Sequence, residues 1–207
     1  MGLLNLLLKD PVAFILIAIP LLYAIIFHEL AHGWVAYRMG DSTAKSLGRL
    51  SLNPLKHLDP LGTLMLFIFG FGWAKPVPVN FSMLHDRRLG MILVSAAGII
   101  TNMLLAFLAL FFLRLLSPAP SSMPAVLLYY FAQINIILAA FNMIPLPPLD
   151  GSKILMGLAS PKIQTLLFRS ERYGFIIIIA LLYFGVLNPV IDFFQRMILA
   201  VINLMLH

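Results

Sequence analysis

A chain of 207 residues that is 61% hydrophobic and only 11% charged departs from the roughly 45–50% apolar and about 25% charged make-up of soluble domains, and the apolar excess has to face lipid. The formal charge of +6 does not indicate nucleic acid, because no long basic run is interleaved with aromatic residues; it fits cytoplasmic loops better. With no cysteine, disulfides, thiolate catalysis and sulfur-ligated zinc are excluded together, and any metal must be held by His, Asp, Glu or water.

Met1 to Asp10 offers no small-residue cleavage site and does not read as a cleaved signal peptide. The first long apolar segment runs from about Pro11 to Met39, with Pro11 suited to a first helical turn and Gly40 just past the end. Asp41 to Pro60 is polar and broken by Gly48, Asn53 and Pro54, so it reads as loop or short strand. Leu61 to Trp73 is apolar but too short to cross as a helix, and is expected to be re-entrant or partly inserted. Pro76 and Pro78 exclude helix from Ala74 to Asn80, which reads as an extended edge strand.

A second span covers Leu89 to Leu116, and a third runs from about Ala125 to Ile144, where Pro145, Pro147 and Pro148 stop it just before Asp150. A further apolar span follows from about Tyr173 to Leu187; Pro189 to Leu206 could span or lie in the interface. The expected fold is an all-α integral membrane protein, a multi-pass helical bundle of about four to six membrane segments. It carries a short membrane-associated β/re-entrant region between the first two long spans and forms one domain over residues 1–207. Lys45, Arg49, Lys56, Arg87 and Arg88 lie between the first two long spans, and Lys153, Lys162, Arg169 and Arg172 follow the third. Both regions are expected to be cytoplasmic, which brings the carboxy-terminal ends of spans one and three to the same membrane face.

Those two ends carry the unusual polar residues. His28-Glu29-Leu30-Ala31-His32 is an HExxH sequence inside an apolar helix. Positions i and i+4 project from one helix face about 6 Å apart along the axis, close enough for two imidazoles to share a cation. Glu29 lies about 100° around from His28, where it can take a proton from a water beside the metal. The plain alternative is a chance pentapeptide, but three ionisable groups in five residues of a span cost several kcal/mol unless they face an internal site. Zinc needs a third protein ligand, and Asp150 is the leading candidate at the proline-broken end of span three. Its competing reading is a loop aspartate that caps the next helix. Asn102 sits mid-span with Gly98 one turn before it, a pairing also suited to interhelical packing. Asn135 and Asn142 read as packing or cap residues, His57 and Asp59 as members of a polar loop, and His85 and His207 as solvated.

His28-Glu29-x-x-His32 taken with Leu149-Asp150-Gly151 resembles the paired signature of the site-2 protease family of intramembrane zinc metalloproteases. Gly98-x-x-x-Asn102, Asn142-x-x-Pro145-x-Pro147, Asn53-Pro54 and the Gly72-Trp73-Ala74-Lys75-Pro76-Val77 phrase are similar to other positions of its short bacterial members, although Ile99 stands where many members have proline. The resemblance implies one zinc per chain on His28, His32 and Asp150, with Glu29 as general base and Asn102 as a contact to substrate backbone or oxyanion. It implies substrates that are membrane proteins with a transmembrane segment, in a bacterial or archaeal cell membrane, and the basic residues near the span ends put the active site toward the cytoplasm. It gives no ground for regulation through a PDZ or nucleotide-sensing domain. Two other classes are a divalent-cation transporter and a non-proteolytic zinc-binding membrane scaffold, neither of which needs Glu29 as a base.

Overall fold

The computed structural model describes residues 3–69 and 72–206, so His207 and Gly70 lie outside the described residues. Helix α1 (Leu3–Lys9) leads into α2 (Pro11–Arg38). Pro11 occupies the first turn, and Asp10 Oδ1 accepts from Ala13 N at 2.9 Å, which satisfies one of the orphan donors of the helix start. At 28 residues α2 is about 42 Å long, more than the roughly 30 Å of hydrocarbon. A polar stretch follows with the one-turn helix α3 (Thr43–Ser46), a 3-10 turn at Pro54–Lys56 and the short apolar helix α4 (Pro60–Phe69). Then come α5 (Arg87–Leu116), α6 (Met123–Asn142), α7 (Asp150–Leu158), α8 (Pro161–Tyr183) and α9 (Asn188–Leu206).

Among the described residues four helices, α2, α5, α6 and α9, are long and apolar enough to cross a membrane. Helix α5 is central, with α2, α6 and α7 packed on it. Ala106 of α5 and Ala132, Ala139 and Ala140 of α6 are wholly buried. Lipid tails are as apolar as leucine, so spans associate by close packing, and small side chains let the backbones approach. Ile99, Ile136, Ile198 and Ile202 complete this core and bring α9 against α6. Large apolar residues such as Ile15, Ile19, Ile100 and Leu104 stay exposed, as a lipid-facing surface requires.

The expected β/re-entrant region is not borne out. Among the described residues there is no strand, only one isolated bridge between Leu58 and Ala74. The chain from 75 to 80 is extended, but Pro76 and Pro78 have no N–H to give to a ladder. Three of its remaining donors go elsewhere: Lys75 N to His57 O at 2.8 Å, Val77 N to Glu29 Oε2 at 2.7 Å and Asn80 N to Asp41 Oδ2 at 2.6 Å. Arg49 takes the carbonyls of Lys75 and Pro76 at 2.8 and 3.1 Å. Side chains therefore hold this segment in place of a neighbouring strand. Burial pushes the Asp41 carboxyl up, but hydrogen bonds from the Thr43 hydroxyl and from the backbone N–H groups of Asn80 and Thr43 outweigh it and hold Asp41 below the ordinary carboxylate range.

The segment expected to be re-entrant contains α4, whose 10 residues give about 15 Å of helix, half of a bilayer core. Phe67 of α4 meets Phe14 of α2 with ring centroids 5.8 Å apart. The span expected from about Tyr173 to Leu187 is not among the four: its first residues form the second half of α8, which starts at Pro161, ends at Tyr183 and carries Lys162, Arg169, Glu171 and Arg172 in its first half.

Candidate metal centre

His28 and His32 lie one turn apart on the same face of α2, with ring centroids 4.5 Å apart and planes edge to face. Both rings pack on the backbone of α5 at Gly98. A Cβ placed there would sit 2.5 Å from His28 Cε1 and 2.6 Å from His32 Cε1, so no larger residue fits without displacing an imidazole. Asn102, one turn further along α5, reaches the far side of the first ring, and His28 Nδ1 lies 2.5 Å from Asn102 Oδ1. His32 Nδ1 lies 2.7 Å from the carbonyl oxygen of Val94. The Gly98-x-x-x-Asn102 spacing thus follows from one helical turn, a floor for the rings and then a partner for one of them.

The third group arrives from the other side of the bundle. Helix α6 ends at Asn142, and a turn through Pro145, Pro147 and Pro148 delivers Asp150 as the first residue of α7. Gly151 is needed there, since a Cβ would run into the carbonyl oxygens of Met143 and Ile144. Asp150 Oδ2 is 3.0 Å from His28 Nε2 and 3.1 Å from His32 Nε2, and all three residues are buried.

The positions of the protons decide what this cluster can do. Carbonyl oxygens only accept, so each histidine carries a proton on Nδ1, and in the neutral ring this leaves the lone pair of Nε2 directed inward. Asp150 Oδ2, buried and close to both, has no hydrogen-bond partner among the described residues. With both rings neutral, two nitrogen lone pairs meet a carboxylate oxygen at 3.0–3.1 Å, an arrangement suited to a cation. Metal–ligand bonds of about 2.0–2.1 Å at tetrahedral angles would set such atoms roughly 3.3–3.4 Å apart, so the cluster fits Zn²⁺ with a small relaxation.

Glu29 is half-buried and offers an oxygen within 4.8 Å of both imidazoles, so His28, Glu29 and His32 also form a group able to hold a metal. A cavity of about 700 Å³ opens onto these residues and Asp150, and is walled by Val77, Val79 and Asn142 among others. Ser95 also lines it, with a buried hydroxyl that has no partner among the described residues. Asn102 and His57 do not line it. Asn102 is wholly buried behind His28, and His57 is bonded to Ser51 O at 2.7 Å. Asp59 caps α4 through Gly62 N, and His85 is exposed beside Gly40.

Sequence reasoning missed three features of the centre. The Val94 carbonyl and the Val77 N–H are backbone groups and leave no trace in residue type. Asn135 did have a signal, an amide in the middle of an apolar span; it accepts from Asn102 Nδ2 at 2.7 Å.

The model of "Peptidase family M50" matches residues 16–122 and 114–185. The chain is 44% identical over 172 residues to the Bacillus subtilis (strain 168) protein named "Putative zinc metalloprotease YwhC", covering 80% of this chain and 78% of that one. It is 30% identical over 183 residues to "Putative zinc metalloprotease Rip2" of Mycolicibacterium smegmatis, covering 84% and 69%. It is also 38% identical over 136 residues to "Putative zinc metalloprotease MJ0611" of Methanocaldococcus jannaschii, covering 63% of each chain. No solved structure matches significantly. With apolar helices built to cross a bilayer, a histidine pair and carboxylates arranged for a cation, and a family match over most of its length, the chain belongs to peptidase family M50, the site-2 protease family of zinc metalloproteases.

Proposed function

We propose that this protein hydrolyses peptide bonds of membrane proteins within or beside the bilayer, with one zinc held by His28, His32 and Asp150 and with Glu29 as general base. The observation that carries the reading is the convergence of two imidazole lone pairs and a carboxylate oxygen at 3.0–3.1 Å, with Glu29 beside them on the wall of an open cavity. Glu29 is the less apt third ligand, because Asp150 Oδ2 lies within 3.1 Å of both nitrogens while Glu29 Oε2 already accepts the Val77 N–H. Bound there, zinc supplies a Lewis acid that acidifies water and polarises a scissile carbonyl. Glu29 takes a proton from water in the cavity and passes it to the leaving amine nitrogen.

A transmembrane helix hides its peptide bonds, so a substrate has to be held extended. The 75–80 segment is suited to this. In extended chain the N–H and C=O of one residue point to one side and alternate residues share it. Val77 directs its N–H to Glu29, so the edge formed by Val77 and Val79 faces the metal centre, while on the opposite edge Pro76 and Pro78 have no N–H and that of Asn80 goes to Asp41. A substrate strand added on the Val77 side would lie beside Glu29 and Asp150. The test is reconstitution with a panel of single-span proteins. Cleavage that stops on chelation and returns with zinc is expected, and transport of a divalent cation without cleavage would favour a transporter instead.

The active site is assigned to the cytoplasmic side, since Lys45, Arg49 and Lys56 lie between α2 and α5, Arg87 and Arg88 open α5, and Lys153, Lys162, Arg169 and Arg172 lie between α6 and the apolar half of α8. In a chain with no cysteine, Ser46→Cys, Ser121→Cys and Ser160→Cys can each be labelled without background. An impermeant thiol reagent applied to intact cells is expected to reach only position 121. Labelling of position 46 from outside would reverse the orientation.

A further inference from the structure

Two asparagines that the hydrolytic step does not use lie inside the bundle. Asn102 of α5 and Asn135 of α6 are both wholly buried, where an amide with no partner would cost several kcal/mol. Their hydrogen bonds run in one direction. Asn135 Nδ2 donates to Phe131 O, one turn back in its own helix, at 2.8 Å, which fixes which end of its amide is the oxygen. That oxygen accepts from Asn102 Nδ2 at 2.7 Å, and the same nitrogen also donates to Ala24 O at 3.3 Å. Asn102 Oδ1 is thereby left facing His28 Nδ1 at 2.5 Å.

The two metal-facing histidines are fixed by different means. His32 is held by the Val94 carbonyl, a backbone group that cannot turn round. His28 is held by an amide that can. If Asn102 rotated by half a turn it would present N–H to His28 Nδ1 and force the ring proton onto Nε2. There the proton would point at Asp150 Oδ2, 3.0 Å away, and close the metal centre as an ordinary hydrogen bond. We propose that Asn135, acting through Asn102, sets the tautomer of His28 and so excludes this metal-free arrangement. Asn135 and Asn102 are then positioning residues for zinc binding. The inference rests on His28 being a ligand.

The experiment measures zinc affinity by chelator competition, and the visible spectrum after Co²⁺ substitution, in wild type, Asn135→Leu, Asn135→Asp and His28→Ala. Groups that orient a ligand typically contribute about 10–100-fold to metal affinity, and Asn135→Leu is expected to lose that much and to change the Co²⁺ bands. Asn135→Asp keeps an acceptor for Asn102 Nδ2, and its protonated form can still donate to Phe131 O, so it is expected to retain the wild-type affinity and spectrum. An equal loss in both variants would mean a packing role, and no loss in Asn135→Leu would remove Asn135 from zinc binding; either overturns the proposal. If His28→Ala kept its zinc, the ligand assignment itself would fall. Should Asn135→Leu not fold, ¹⁵N NMR of histidine-labelled wild type without metal reads the tautomer directly. A proton on Nδ1 of His28 is expected, and one on Nε2 overturns the relay.

Discussion

Replacing Glu29 with glutamine is expected to abolish cleavage while leaving zinc content, fold and substrate binding in place. The side chain has two tasks that the substitution separates. Glu29 Oε2 accepts the Val77 N–H at 2.7 Å and so holds the 75–80 segment against α2. A glutamine can keep this contact through its amide oxygen. Its other end then becomes an NH₂ that donates where a proton acceptor is required, and the loss should approach the roughly 10²–10⁴-fold that a general base contributes. The comparison is between reconstituted wild type and Glu29→Gln, each assayed for bound zinc and for hydrolysis of one single-span substrate. Cleavage near the wild-type rate would remove Glu29 from the reaction. Zinc loss would instead make it a ligand and reopen the place of Asp150.

Much of the architecture could be read before any coordinates, for reasons that are local. HExxH works as a signal because i and i+4 share a helix face, and α2 does bring His28 and His32 together. Long apolar runs ended by proline or glycine mark helices α2, α5 and α6, since lipid leaves the backbone no other partner. What stayed illegible depends on partners distant in sequence. Pro76 and Pro78 announce an extended chain, but not that its donors go to Glu29 and Asp41 instead of to a strand. The start of α8 was hidden because its first half is charged, so hydropathy alone places the element at its apolar end. Asn102 was legible as a polar residue in a span and open as to role. The geometry favours the interhelical bond, since both ends of its amide are engaged by His28, Ala24 and Asn135. Gly98 is a comparable case: smallness suggests packing in general, and only the fold shows that two imidazoles are what packs on it.

The carboxylate of Asp150 allows the sharpest test of the metal centre, through Asp150→Asn. With both imidazoles neutral, two ring lone pairs of the wild type face a carboxylate oxygen that has no hydrogen-bond partner. Without a cation this cluster is unfavourable, because buried acceptors without donors cost about 1–3 kcal/mol each. An asparagine of the same shape changes the balance on both sides. Its NH₂ can donate to His28 Nε2 and His32 Nε2 across the present 3.0 and 3.1 Å gaps, which satisfies the metal-free protein. It also removes the anionic carboxylate that completes a three-ligand zinc site with two histidines. Asp150→Asn is therefore expected to melt above the wild type when both are stripped of metal, and to gain nothing from added zinc. The wild type should gain about 2.7 kcal/mol when zinc is held at 100 times its dissociation constant. Thermal unfolding with and without zinc, alongside metal analysis, reads both effects. Undiminished zinc binding in a folded Asp150→Asn would take Asp150 out of the ligand set and leave His28, His32 and Glu29 as the group that holds the metal.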